Sequence, residues 1–81
     1  MIRLNQQMED EVKLFCDNIY LLRKKQYLSQ NEMAKKLGIG VYSLRKLERG
    51  ELPPRLDSRI LWYIYEEFHV LPHQMFKKQD L

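Results

Sequence analysis

The chain has 81 residues, 44% hydrophobic and 31% charged, which suits one small globular domain and excludes a disordered segment or a repeat array. The single cysteine, Cys16, excludes an internal disulfide framework and suits a reducing cytoplasm. No run approaches the ~20 apolar residues of a membrane span, and the start of the chain, with Glu9, Asp10 and Glu11, lacks signal-peptide character.

The net charge of +3 is unevenly spread. Residues 1–20 carry a net of −2, residues 21–59 a net of +6, and residues 60–81 a net of −1. Positive charge gathered in the middle of a chain is the electrostatic footprint expected for a phosphate backbone. Lys and Arg also solvate helix faces, so charge alone does not decide the matter.

Five helical segments and no strand are predicted. Met8, Val12, Phe15, Ile19 and Leu22 recur at steps of four and three, one face of a helix over about Gln6–Gln26. Cys16 lies beside apolar Phe15 and reads as a buried structural cysteine rather than a reactive thiol. Ser29 and Glu32 have the spacing of a capping box and open a second helix, with Met33, Ala34 and Leu37 inward and Gly38 as its stop.

A third helix is predicted from Val41 to Arg49, with Gly40 at its N-cap and Gly50 after its end. Residues 51–56 form a loop, because Pro54 disfavours the helical region for Pro53. Asp57 or Ser58 caps a fourth helix to about His69, whose inner face is expected to hold Leu61, Ile64, Tyr65 and Phe68. Pro72 suits the first position of a short fifth helix, with Met75 and Phe76 facing in.

The stretch Ser29–Gly50 carries the functional signal. Two helices that cross closely need a small residue, supplied by Ala34, and a tight turn, supplied by Gly38. Ile39 follows as an apolar plug, and Leu44 and Leu47 give the third helix its inner face. At about 100° per residue, Val41, Tyr42, Arg45, Lys46 and Arg49 share an arc of about 140°. That face holds no acid. Arg pairs bidentately with guanine, Lys reaches guanine or phosphate, and Val packs on a thymine methyl.

These residues, Ser29-Gln30, Met33-Ala34, Leu37-Gly38-Ile39 and Leu47-Glu48-Arg49-Gly50, resemble the phage-repressor-like helix-turn-helix family (Cro/repressor, xenobiotic-response-element type). Ile19, Leu22 and Arg23 upstream, and Val70 and Phe76 downstream, extend the likeness to roughly residues 15–76. The resemblance implies an all-α, compact five-helix lambda-repressor-like DNA-binding domain with an N-terminally extended first helix. The domain would occupy residues 15–76, after a helical extension over 1–14 and before a tail over 77–81.

The resemblance further implies a sequence-specific regulator of transcription, a small repressor or an antitoxin-like protein, with the helix over 41–49 in the major groove of double-stranded DNA. Val41, Tyr42, Ser43, Arg45 and Lys46 would lie at base edges. Gln30 and Arg49 would contact phosphates, with Lys24 and Lys25 as further candidates. Arg23 and Glu48 would form a buried ion pair joining the first and third helices. The chain departs from the family in Gly40, where Ser or Thr is usual, in a loop after Gly50 about two residues longer than usual, and in residues 1–14.

The alternative is a protein-interaction module on the same scaffold that does not read DNA; an unreactive outer face on the third helix would favour it. No nucleophile motif, phosphate-binding glycine loop or metal-ligand pattern occurs, so no enzyme, cofactor or metal is expected. His69 and His73 lack a third ligand. One helix-turn-helix reads few base pairs, so a homodimer is expected. Its seam would lie at Trp62, Tyr63 and Phe76, or at Ile2, Leu4, Met8 and Val12 of the extension. An antitoxin-like protein would also have a protein partner.

Overall fold

The structure, a computed structural model, describes residues 6–78. The seam candidates Ile2 and Leu4, and the end of the tail, lie outside the described residues. Four α-helices and one 3-10 helix follow in order: α1 (Gln6–Lys25), α2 (Gln30–Leu37), α3 (Val41–Glu48), α4 (Arg59–Phe68) and the 3-10 helix (Pro72–Phe76). No strand occurs among the described residues, and no helix there is long and apolar enough to cross a membrane. The fold is the all-helical, lambda-repressor-like arrangement that the sequence predicts. The fifth element is a single tight 3-10 segment rather than an α-helix.

The heptad-like stripe of α1 seats the core. Phe15, Cys16, Ile19 and Leu22 are buried against Met33, Ala34 and Leu37 of α2, Leu44 and Leu47 of α3, Ile60 and Ile64 of α4, and Met75. Val12 packs at the edge of this cluster, whereas Met8, one turn earlier, is exposed. The extension of α1 therefore contributes little to the core before Val12. Burial pushes the Cys16 thiol up to about 11, with the Asp17 charge adding to the effect. A thiol held protonated in this way is a poor nucleophile.

α4 turns inward the face expected at Leu61, Ile64 and Phe68, shifted to take in Ile60 and leave out Tyr65. Ile60 and Ile64 are buried, with Leu61 and Phe68 beside them, whereas Tyr65 is 41% exposed. The i, i+4 pair of branched aliphatics fills the core layer, and Tyr65 keeps its hydroxyl at the boundary, its ring edge-on to His69. Phe76 also sits at the boundary, stacked on Phe15 with 5.3 Å between ring centroids. Asn18, 2% exposed, ties the C-terminal segment down: its amide donates to the carbonyls of Met75 and Lys77, each at 2.8 Å.

The helix ends follow local chemistry. Ser29 and Glu32 form a complete capping box, with Glu32 N–H donating to Ser29 Oγ at 3.1 Å and Ser29 N–H to Glu32 Oε1 at 2.9 Å. Asp57 rather than Ser58 caps α4, accepting from the N–H of Arg59 at 2.9 Å. The last carbonyls of α3 are met by Gly50 and Glu51 N–H groups, with Gly50 in the left-handed region at φ 84°.

Candidate nucleic-acid interface

The turn between α2 and α3 is built from four side chains and one backbone conformation. Gly38 sits at φ 68°, and the N–H of Ile39 returns to the carbonyl of Ala34 at 3.0 Å, which closes α2 and sets the chain at an angle to it. Ala34 is buried at the crossing, where a larger side chain would hold the helices apart. Ile39 is half-buried as a plug, and Leu44 and Leu47 are fully buried, so the rotation of α3 about its axis is fixed.

That rotation decides what α3 presents. Tyr42 is 68% exposed, Arg45 and Arg49 are exposed, and Lys46 is half-buried with its ammonium 5.6 Å from the centroid of the Tyr42 ring. Val41 packs partly against the core and Ser43 is half-buried, so these two lie at the margins of the face rather than on its crest. Arg49, at the C-cap, pairs with Glu51 at 3.0 Å. Lys24 and Lys25 are exposed in the last turn of α1, Lys24 lying 5.8 Å from the Tyr20 ring centroid.

The one acid of α3 points inward. Glu48 receives a two-pronged ion pair from Arg23 of α1, Nε to Oε2 at 2.7 Å and Nη2 to Oε1 at 2.9 Å. Their side chains are 13% and 7% exposed. The third arm of Arg23 donates to the carbonyl of Leu28 at 3.1 Å, which also fixes the turn after α1. The bond to Glu48 raises the pKa of Arg23 above its ordinary value, and desolvation opposes this only in part.

Gln30, half-buried at the first position of α2, is engaged at both ends of its amide. Its Nε2 donates to Glu48 Oε1 at 3.1 Å, and its Oε1 accepts from Arg45 Nε at 3.2 Å. The orientation of the amide follows from its partners, because a carboxylate only accepts and a guanidinium only donates. The spacing of residues 30, 45 and 48 does not announce this link. It arises where the start of α2 meets the middle of α3.

The trihelical scaffold, the glycine turn and the outward basic helix together define a helix-turn-helix protein. Residues 19–58 match the helix-turn-helix family model. Residues 19–58 thus form a helix-turn-helix domain of the phage-repressor-like type, a family of DNA-binding regulatory domains. No curated protein and no solved structure matches it significantly. Among the described residues, no group of His, Cys, Asp and Glu could hold a metal ion.

Proposed function

We propose that this protein is a sequence-specific regulator of transcription that lays α3 in the major groove of double-stranded DNA. The observation that supports this best is the exposed, acid-free face of α3, with Tyr42, Arg45 and Arg49 standing on a helix whose inner leucines fix its rotation. Major-groove edges offer guanine two acceptors that match the Arg fork, and thymine a methyl group for apolar contact. Val41, Tyr42, Ser43, Arg45 and Lys46 serve as the base-reading set. Arg49, Lys24 and Lys25 serve the phosphates, which position the protein without carrying sequence information. The start of α2 at Gln30 adds a helix dipole toward the backbone. The protein works in the cytoplasm as a small repressor or as the antitoxin-like member of an autoregulated pair.

Two copies bind as a homodimer on half-sites about 34 Å apart. Trp62, 61% exposed on α4, is the leading residue for the seam, since aromatic side chains concentrate at interface centres. Tyr63 and Phe76, or Met8 on the N-terminal extension, are further exposed side chains that could join it.

Selection of bound duplexes from a random pool is the direct test. An enriched motif, with affinity that falls steeply as salt rises, is the expected result, because Lys and Arg displace condensed counterions. Failure to retain any duplex at about 50 mM salt, where the electrostatic term is strong, overturns the reading and leaves a protein-interaction module on the same scaffold.

A further inference from the structure

We propose that Gln30 is a positioning residue for base discrimination, holding Arg45 end-on to the groove through a relay that starts at Arg23 on α1. The inference rests on the DNA-reading proposal above and deepens it. Arg23 is held on three sides, by both oxygens of Glu48 and by the Leu28 carbonyl. Glu48 Oε1 in turn holds Gln30 Nε2, and Gln30 Oε1 holds Arg45 Nε.

The root of this relay is shielded from water, so its geometry is little disturbed by salt or solvent exchange. With Nε engaged, the described residues give the two terminal nitrogens of Arg45 no partner. They remain free as a fork, and two parallel N–H donors match O6 and N7 of guanine. A guanidinium already restrained loses less freedom on binding than one that swings from a flexible stem.

A phosphate contact made by Gln30 would act on all sequences alike. The relay predicts the opposite, that losing the Gln30 amide changes which base is preferred at one position. The other positions, and the number of phosphates neutralised, should stay as they are.

The experiment uses the full chain and the duplex motif selected by the parent protein. Gln30→Met keeps the length of the side chain and removes the amide. Arg45→Ala identifies the base pair that Arg45 reads, as the position where the selected motif flattens. The parent should discriminate there by about 5- to 150-fold, the range of a bidentate pair.

Gln30→Met should lower that discrimination several-fold, toward the flattened preference of Arg45→Ala, with other positions and the salt slope unchanged. Adding Gln30→Met to Arg45→Ala should cause no further loss at that position. Arg23→Lys, which keeps the charge but not the fork, should lower discrimination at the same base pair.

An unchanged preference in Gln30→Met overturns the inference. So does a uniform loss over all duplexes, alike at every position of the motif and at an unchanged salt slope, the mark of a lost contact between a neutral amide and a phosphate. If Gln30→Met loses the parent's helical circular dichroism, Gln30→Ala carries the same comparison. A parent that selects no motif overturns the DNA reading as well, whereas a selected motif indifferent to Gln30 overturns the relay alone.

Discussion

The ring of Tyr63 on α4 closes over Gly38 in the turn, so near that a Cβ added to Gly38 would lie 2.8 Å from Tyr63 Cε2. The contact joins the helix-turn-helix to the helix behind it and puts two demands on one residue. Position 38 must adopt a positive φ, and it must leave room for a ring.

Gly38→Ala should therefore destabilise the fold by ~1–3 kcal/mol, from the left-handed conformation and the displaced ring together. Gly40 differs: nothing lies within 4 Å of an added Cβ, and its backbone is extended at φ −73°. Gly40→Ser should add an N-cap acceptor to α3 and raise stability by a few tenths of a kcal/mol. Urea unfolding of the two variants beside the parent checks both signs, and a neutral Gly38→Ala would mean that neither the left-handed backbone nor the Tyr63 ring penalises a Cβ at this position.

Arg23→Ala or Glu48→Ala should each cost ~3–5 kcal/mol, because either leaves a charge uncompensated in a place with little water. Replacing both residues by apolar ones should cost much less than the two single losses added together. A single-variant loss under ~0.5 kcal/mol would match an exposed pair instead. Equilibrium unfolding of the four-protein cycle gives the answer.

Asn18→Ala should cost ~1–3 kcal/mol, since the buried carbonyl of Met75 loses its donor. The effect should be local. Amide exchange in the 3-10 helix Pro72–Phe76 should quicken more than exchange in α2 or α3. Equal acceleration everywhere would show that the C-terminal segment opens only with the whole domain.

The capping box gives a pH dependence with a definite sign. The Ser29 backbone N–H, and next its hydroxyl, hold the Glu32 carboxyl below its ordinary value of 4.5. A depressed carboxyl binds fewer protons folded than unfolded. Its stabilising contribution is thus present above 4.5 and is lost as pH falls through the lower folded value. Glu32→Gln keeps an acceptor for the Ser29 N–H and removes the titration. Melting temperatures of the parent should fall toward those of Glu32→Gln as pH is lowered from about 6 to about 3. A gap that stays constant over that range would assign the box no ionic part. Asp57, also depressed by its Arg59 partner, titrates in both proteins and cancels from the comparison.

Most of the fold is local chemistry, and local chemistry is legible in a sequence. The capping box at Ser29 and Glu32, the stop at Gly38, the break at Pro53-Pro54 and the three-four spacing of α1 each act within a few residues. The inner leucines of α3 likewise follow from its period, which puts Tyr42, Arg45 and Arg49 on the opposite side. α4 was less legible, because Leu61, Ile64, Tyr65 and Phe68 make as good a stripe as Ile60 and Ile64 do. Only packing against α2 and the 3-10 helix chose between them.

By itself the sequence determined the elements, their ends, the family and the basic outward face of α3, since all of these depend on neighbours along the chain. The tertiary structure alone decided three other things: that Tyr63 lies over Gly38, that Asn18 holds the carbonyls of Met75 and Lys77, and that Gln30 joins Glu48 to Arg45. These are bonds and contacts between residues up to 59 positions apart. Hydrogen bonds are directional over about 3 Å, and no spacing along a chain specifies where two helices come that close. That placement follows from how the apolar faces fill the core.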